Sequence, residues 1–306
     1  MQKRYYSLNE YFQKRFKEKV FKVSLNAGFT CPNKTGKSGF GGCTFCSPLG
    51  SGDFAGNKND DLITQFEDVK DMMHKKWPHA KYIAYFQANT NTYAPVDVLK
   101  EKFEPVLNYS KDIIGLSIAT RPDCLEDDII DYLAELNEKT NLFVEIGLQT
   151  RHEKTAKLIN RGHDYQTFVE GVNKLRKSNI EVIVHIINGL PYETQEEMLE
   201  TVKELVKLDF QGIKIHLLHV IKNTRMGNDY LKNPFPLLSQ EEYVDTVIKQ
   251  LELLPKHIVI HRLTGDAVRE NLIGPMWSLK KWEVLNMIDY ELEKRNTYQG
   301  RLYHES

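Results

Sequence analysis

This chain of 306 residues has few of the features that mark membrane, secreted or strongly basic proteins. It contains no run of eighteen apolar residues, so we expect no membrane span. Its formal net charge of -1 argues against a globally basic nucleic-acid binder, although it is compatible with a local basic face. The first residues carry no apolar segment of a secretory signal, and repeats and low-complexity tracts are lacking. We therefore expect a cytoplasmic protein with one large or two small α/β domains.

Cysteine is also scarce, and three of the four cysteines fall within sixteen residues. Cys31, Cys43 and Cys46 occupy a glycine-rich stretch, residues 31–46, which we call the cysteine loop. Because Cys43 and Cys46 are three residues apart, one turn can point both sulfurs the same way. Four glycines between residues 36 and 42 give the longer first gap the freedom to fold back. The loop therefore collects three thiolates around one centre.

Three cysteines in one loop are compatible with several kinds of site. A structural zinc ion needs four protein ligands, and the fourth would be Cys124 or a histidine. A disulfide is disfavoured because nothing in the sequence indicates an oxidising compartment. A four-iron cluster normally takes four cysteines. With three cysteines, one iron stays open to a substrate or cofactor, as a catalytic centre requires.

Alternating strand-like and helix-like segments predict a parallel sheet with crossover helices. The predicted strands are residues 20–25, 82–87, 113–119, 142–148, 181–187 and 213–218. The predicted helices are residues 60–76, 96–109, 126–138, 154–159, 165–177 and 196–207. A further strand-like stretch, 257–263, follows a predicted helix at 241–253. Six βα units favour an α/β partial TIM barrel, (β/α)6, with the active site at the carboxyl ends of the strands.

Polar residues cluster just after the predicted strands, where a βα barrel places its active site. Each cluster alone is more typical of helix capping, whereas their joint pattern favours a shared site. Glu145 is the most informative of them, because an uncompensated carboxylate within an apolar strand is costly. Its alternative interpretation is a carboxylate paired with a structural arginine.

At these positions the sequence resembles the radical S-adenosylmethionine enzymes. It is most similar to the branch that contains the radical domain of Elongator's catalytic subunit and the short bacterial proteins of the YhcC/YtqA (MnmL) type. The motifs that carry the resemblance are GFTCPN (28–33), GGCTFC (41–46), FQANTNTY (86–93), IATRPD (118–123), EIGLQT (145–150), NRGH (160–163) and GLPYET (189–194). The eleven-residue first gap between cysteines departs from the superfamily's commonest spacing and fits this branch.

The resemblance implies that Cys31, Cys43 and Cys46 hold a [4Fe–4S] cluster whose open iron chelates the amino and carboxylate groups of S-adenosylmethionine. It further implies cofactor contacts by eight residues. Phe45, Gly189 and Pro191 would lie along the adenine, and Gln87 and Asn89 would contact the methionine amino group. Glu145 would contact the ribose or amino group, Gln149 would contact the cofactor from the end of the same strand, and Arg161 would pair with the carboxylate.

Other polar residues of the motifs are assigned no catalytic role. For Arg161, the alternative is an exposed cation at a helix end. We predict no obligatory general base. His185, His216 and His219 point toward the barrel mouth or interior, where a histidine is more often a core residue than a catalytic one. Cys124 is predicted to be dispensable for the cluster.

The predicted organisation is a basic and aromatic extension at residues 1–18, a radical domain at 19–222 and a C-terminal extension closing the barrel at 223–306. The mixture of cations and aromatics in residues 3–19 suits phosphate contact and base stacking. We favour the alternative, in which these residues form a helix that packs its aromatic side chains on the barrel and do not bind nucleic acid. The segments 263–269 and 274–277 resemble the branch's C-terminal signature, and they either close over the substrate or plug the barrel.

Resemblance to the MnmL type implies action on tRNA wobble uridine. The expected reaction converts a 5-carboxymethylaminomethyl-(2-thio)uridine to 5-aminomethyl-(2-thio)uridine, with flavodoxin or ferredoxin as the electron donor. Two alternatives stay open. One is a radical enzyme that acts on a small metabolite or a protein, and the other is a non-catalytic zinc-binding RNA module.

Overall fold

Nine strands and eleven α-helices make up the computed structural model, which describes residues 3–304. The strands are β1 (Val20–Leu25), β2 (Lys81–Phe86), β3 (Ile113–Thr120), β4 (Asn141–Gln149), β5 (Glu181–Asn188), β6 (Gly212–Leu217), β7 (Val220–Ile221), β8 (Val259–Arg262) and β9 (Leu272–Gly274). The helices are α1 (Leu8–Phe16), α2 (Pro32–Thr35), α3 (Leu62–His74), α4 (Val96–Tyr109), α5 (Asp127–Lys139), α6 (Glu153–Leu158), α7 (Tyr165–Lys177), α8 (Gln195–Leu205), α9 (Arg225–Lys232), α10 (Gln240–Leu253) and α11 (Lys281–Lys294). Within residues 3–304, no helix is both long enough and apolar enough to cross a membrane.

One parallel sheet of seven strands, in the order β1-β2-β3-β4-β5-β6-β8, curls into a partial barrel. This confirms the predicted fold class, and all six predicted strands are present to within one residue at either end. The stretch predicted at 257–263 contains β8, which pairs in parallel with β6 and extends the six-unit arrangement by one strand. The short β7 leaves the sheet and pairs antiparallel with β9.

Local sequence explains where several helices begin. At the start of α8, the Thr194 side chain accepts from the Glu197 amide, and the Glu197 carboxylate accepts from the Thr194 amide at 2.9 Å. These two bonds form a capping box, and Ser239 with Glu242 forms a second one before α10. The central strands carry almost continuous apolar side chains because helices cover the outer face of the sheet.

Helix α1 closes the amino-terminal end of the barrel. Its Phe12 is 4% exposed and packs against Val20, Ile83, Phe143 and Ile183, which all lie early in their strands. The helix therefore packs an aromatic into the barrel, as favoured in the sequence analysis, on the end opposite the strand carboxyl termini.

Both ends of the described chain meet at the outer edge of β8. The Ile260 amide donates to the Tyr6 carbonyl at 2.8 Å, and Ser7 forms a parallel bridge with Ile260. The Gln299 amide donates to the Arg4 carbonyl at 3.0 Å, and its side-chain oxygen accepts from the Tyr6 amide at 2.8 Å. We call this set of contacts the terminal seam. It covers an edge strand whose backbone groups would otherwise be unpaired.

The segment predicted to close the barrel, 223–306, supplies β8, α9, α10 and α11 within its described part. Because β8 belongs to the main sheet, this segment shares the barrel's hydrogen bonding rather than only covering it. The proposed division at residue 222 remains a prediction.

We expect Phe12→Ala to lower the free energy of unfolding by about 3–5 kcal/mol, because it leaves a cavity under the barrel. Urea denaturation followed by circular dichroism measures this change. Tyr290→Ala removes an aromatic ring that is 62% exposed, so it is a matched control that we expect to change stability little. Equal effects of the two substitutions would show that α1 does not close the barrel as described.

Candidate active site

A cavity of about 320 Å³ opens at the carboxyl ends of the strands. Strands β2 to β6 and β8, or the residues directly after them, each supply lining side chains, and the cysteine loop after β1 forms one wall. Polar residues that are distant in sequence are thereby brought to one place. Strand ends position these side chains because parallel strands direct their carboxyl ends to the same face.

All three cysteines of the cysteine loop line this cavity, and none forms a disulfide. Cys31 directly precedes α2, and the Cys46 amide donates to the Cys43 carbonyl at 3.1 Å within a turn. Cys124 is 1% exposed in a short 3-10 helix and is not among the lining residues. The described chain therefore presents three thiols to the cavity, with the fourth cysteine buried elsewhere.

The cysteine loop is fastened to the segment that follows α6. Asn33 Nδ2 donates to the Asn160 carbonyl at 2.6 Å, and Asn160 Nδ2 donates to the Gly42 carbonyl at 2.7 Å. Gly162 makes this close approach feasible, because a Cβ there would lie 2.7 Å from Asn33 Oδ1. Gly162 also has a φ of +84°, which favours glycine. Protein contacts alone thus hold the loop against the barrel.

Burial and nearby cations act in opposite directions on the cysteine sulfurs. Burial raises the pKa of Cys43 to about 12 and also raises the pKa of Cys46. Arg121 opposes the shift at Cys43, and Lys34 opposes it at Cys46. Asn33 Nδ2 lies 3.6 Å from Cys43 Sγ as a hydrogen-bond donor. Cations and an N–H donor around half-buried cysteines suit thiolates that ligate iron, since ligation offsets the cost of desolvation.

Five of the eight residues predicted to contact the cofactor line the cavity. They are Phe45, Gln87, Asn89, Glu145 and Gln149. Gln87 Nε2 donates to the Ser51 carbonyl at 2.8 Å, and Asn89 Oδ1 accepts from Lys34 Nζ at 3.0 Å. Asn89 and Gln149 have φ values of 61° and 64°, in the left-handed region that non-glycine residues seldom adopt. Such strained residues are typical of functional sites.

The other three residues, Arg161, Gly189 and Pro191, are not among the described residues that line the cavity. The Arg161 side chain is fully buried, so the alternative of an exposed helix-end cation is wrong. Its guanidinium donates to the carbonyls of Leu148, Thr150 and His163 and pairs with Glu153. Arg161 thus links the end of β4 to the segment that holds the cysteine loop. Cofactor contacts by these three residues remain predictions.

Glu145 is the centre of a buried ionic cluster within the barrel. Its Oε1 accepts from Lys22 Nζ and Ser117 Oγ, both at 2.7 Å. Its Oε2 accepts from Lys214 Nζ and lies 2.7 Å from His185 Nε2. Burial raises the pKa of Glu145, but Lys214 and Lys22 outweigh burial and hold it well below its usual range. The carboxylate is therefore ionised, and both of its oxygens are occupied.

Neither lysine partner of Glu145 was predicted from the sequence. The alternative of a structural arginine was wrong in residue type, because the partners are Lys22 of β1 and Lys214 of β6. The signal that identified Glu145 also applies to them, since each lysine lies within an apolar strand. Arg121, which follows β3, was likewise given no role, yet it lines the cavity.

The chain matches two family descriptions that together span most of its length. Residues 31–205 match the Radical SAM superfamily, and residues 210–294 match the Radical_SAM C-terminal domain. The protein therefore belongs to the radical S-adenosylmethionine superfamily. It is a radical S-adenosylmethionine enzyme, with a [4Fe–4S] cluster and S-adenosylmethionine as cofactors.

Individual relatives refine this placement. The chain is 60% identical to YtqA of Bacillus subtilis over 99% of this chain and 94% of that protein. It is 33% identical to YhcC of Escherichia coli K12 over 94% of this chain and 92% of that protein. Half of the chain is 26% identical to 29% of the tRNA uridine(34) acetyltransferase of Methanocaldococcus infernus. These matches confirm the predicted branch.

A solved structure supports the fold. The archaeal Methanocaldococcus infernus Elp3 with an N-terminal deletion superposes with a TM-score of 0.70 at 17% identity. The superposition covers 92% of this chain and 64% of that one, so this chain spans under two thirds of the solved protein.

We expect Glu145→Gln to lower the free energy of unfolding at pH 7 by about 3–5 kcal/mol, because it leaves two buried lysines with a neutral partner. Glu145 contributes to stability above the pKa that it has in the unfolded chain, about 4.3. This contribution is lost as the pH falls toward the depressed pKa that it has in the folded protein. The difference in the free energy of unfolding between wild type and variant should therefore become smaller below about pH 4. Urea denaturation at pH 7 and at lower pH measures it.

Glu135→Gln changes an exposed carboxylate on α5 in the same way and is the matched control. If the free energies of unfolding of wild type and Glu145→Gln differ little at pH 7, or differ more in acid, Glu145 is not ionised as described.

Proposed function

We propose that this enzyme modifies the wobble uridine of tRNA, converting the C5 carboxymethylaminomethyl group, with or without 2-thiolation, to an aminomethyl group. The observation that carries the proposal is the similarity of half the chain to a tRNA uridine(34) acetyltransferase, together with resemblance to the MnmL type. The cavity opens at the barrel mouth, where a base that remains attached to RNA can enter. This substrate implies that the enzyme works in the cytoplasm.

The proposed ligands of the [4Fe–4S] cluster are Cys31, Cys43 and Cys46. The site fits the cluster because three thiols line the cavity and the cations Lys34 and Arg121 act on the sulfurs. When bound and reduced, the cofactors supply a 5′-deoxyadenosyl radical that takes a hydrogen atom from the substrate. Radical enzymes need a reductant, and we propose flavodoxin or ferredoxin as its source.

Two of the proposed S-adenosylmethionine contacts lie at a strand end beside the cysteine loop. Gln87 and Asn89 follow β2, and both are tied to the stretch 34–51 by hydrogen bonds. Phe45 offers an aromatic face at the wall of the cavity. The role of these residues is to orient the cofactor and to exclude water and stray hydrogen donors from the cavity.

The geometry disfavours a zinc-binding module. A zinc ion needs four ligands within about 2.3 Å of one point. Within residues 3–304, no group of three or more His, Cys, Asp or Glu side chains is arranged to hold a single ion. A cluster differs in this respect, because each cysteine binds a different iron atom.

We expect Ser substitution of Cys31, Cys43 or Cys46 to abolish cluster binding, whereas Cys124→Ser should retain it because Cys124 does not line the cavity. The cluster content is measured after anaerobic reconstitution by iron and sulfide analysis and by the absorbance at about 400 nm. Loss of iron in Cys124→Ser, with iron retained in one of the other variants, would overturn the ligand assignment. A colourless protein that binds zinc would overturn the cluster itself.

We expect a strain that lacks the gene to accumulate carboxymethylaminomethyl nucleosides in its tRNA at the expense of aminomethyl ones. Mass spectrometry of tRNA nucleosides measures both, and a plasmid that carries the Cys46→Ser variant is the matched control for complementation. Unchanged nucleosides would overturn the proposed substrate. If the purified enzyme then formed 5′-deoxyadenosine without tRNA dependence, a metabolite or protein would be the substrate.

A further inference from the structure

The wall of the cavity that β6 and β8 supply is cationic. Lys214 and His216 project from β6, and Arg262 projects from the last strand, β8. In the sheet order these strands lie at the opposite edge from β1, which leads into the cysteine loop. The cysteine loop and this wall thus come from different strands and line the same cavity.

The charges of this wall are incompletely balanced by the protein. Glu145 is shared between Lys22 and Lys214, so one carboxylate faces two ammonium groups. Both of its oxygens already accept two hydrogen bonds each, which leaves it little capacity for further donors. With both lysines protonated, this part of the barrel carries an excess of one positive charge before Arg262 is counted.

Arg262 is only loosely paired. Its Nη2 lies 3.8 Å from Asp266 Oδ2, and Asp266 is held more closely by Lys281 Nζ at 2.7 and 2.9 Å. No hydrogen bond of the Arg262 guanidinium is made within residues 3–304. A planar guanidinium with free donors is suited to bidentate binding of a carboxylate.

Two histidines beside this wall also have unused ring nitrogens. His216 Nε2 and His219 Nε2 are shielded from water and have no hydrogen-bond partner within the described chain. Burial lowers the pKa of His219 to about 4 and holds that of His216 well below its usual range, so both rings are neutral at pH 7. Gly265 keeps the space between them open, because an added Cβ would lie 3.3 Å from His219 Cε1 and 3.7 Å from His216 Nδ1.

We propose that Lys214, His216 and Arg262 form a subsite that binds the carboxylate of the substrate's carboxymethylaminomethyl group. This inference rests on the proposed function and adds the residues that recognise its substrate. The subsite holds the carboxylate on the wall that β6 and β8 supply, and the methylene groups of the side chain extend from it into the same cavity that the cysteine loop lines.

Depth favours a carboxylate on a base over a phosphate of the RNA backbone. The Lys214 side chain is 7% exposed, so a short arm on a uracil ring can reach it, whereas a phosphodiester in a polynucleotide cannot. Burial lowers the pKa of Lys214 to about 7; Glu145 opposes this shift, while Lys22 and Arg262 add to it. An anion bound beside Lys214 therefore restores its full charge.

The test compares two substrates of the reconstituted enzyme. One is tRNA that carries 5-carboxymethylaminomethyluridine, and the other is the same tRNA with that carboxylate converted to the neutral carboxamide. The measured quantity is the ratio of kcat/KM for the carboxylate over the carboxamide, with products determined by nucleoside mass spectrometry. A residue that acts only on folding changes both values and leaves this ratio unchanged.

We expect Arg262→Gln to lower this ratio about ten- to hundredfold, the usual worth of a hydrogen bond to a charged group. Arg262→Lys keeps the charge and should recover part of the loss. Arg301→Gln, at an exposed position remote from the cavity, is the matched control and should leave the ratio at the wild-type value. Because Arg262 makes no tight ion pair, its replacement is less disruptive than that of Lys214.

A ratio unchanged by Arg262→Gln, with both substrates processed by wild type, would overturn the subsite and leave the proposed function intact. An equal loss on both substrates, or a raised KM for S-adenosylmethionine alone, would also overturn it by assigning Arg262 to structure or to the cofactor. A wild-type enzyme that converts neither tRNA would overturn the proposed function, and the carboxylate assignment with it.

Discussion

The buried carboxylate of Glu145 connects most of the barrel. Its two oxygens accept hydrogen bonds from side chains on β1, β3, β5 and β6 while it belongs to β4. A partial barrel of parallel strands has an interior that side chains must fill, and here charged groups fill part of it. Such groups are tolerated only when every charge has a partner, so the positions of five strands depend on one another. The cluster also forms the floor on which the cavity lies.

A second set of contacts determines where the cysteine loop lies relative to that floor. Arg161 holds the carbonyls at the end of β4, while the carbonyl of Arg161 itself accepts from Arg121 Nη1 at 2.7 Å. Asn33 and Asn160 then join this segment to the loop. The loop and the strand ends are therefore positioned by one hydrogen-bonded framework. A catalytic site of this kind requires such support, because small displacements of a bound cofactor relative to its substrate are costly.

The fold could be predicted from the sequence almost completely, because buried parallel strands and amphipathic helices carry strong periodic signals. Features that depend on contacts between residues distant in the sequence could not be predicted in this way. The terminal seam joins Tyr6 to Ile260 through backbone atoms, which have no sequence signature. Within the site, Glu145 was identified by the cost of burying a charge, and the same reasoning extended to Lys22 and Lys214 would have found its partners. For Arg161 the residue type was noticed but not its direction, since a guanidinium that binds carbonyls and one that binds a cofactor look identical in sequence.

The terminal seam has a consequence for the synthesis of the chain. Residues 4–7 pair with Ile260 and Gln299, so this segment finds its partners only after about 290 further residues have been made. Until then the edge that β8 will form does not exist, and helix α1 has an incomplete barrel to close. Sequence-distant contacts of this kind form late and leave strand edges exposed in partly made chains. The nascent protein is therefore most vulnerable to aggregation just before residues 259–299 emerge, and the arrival of this segment is the event that seals the barrel.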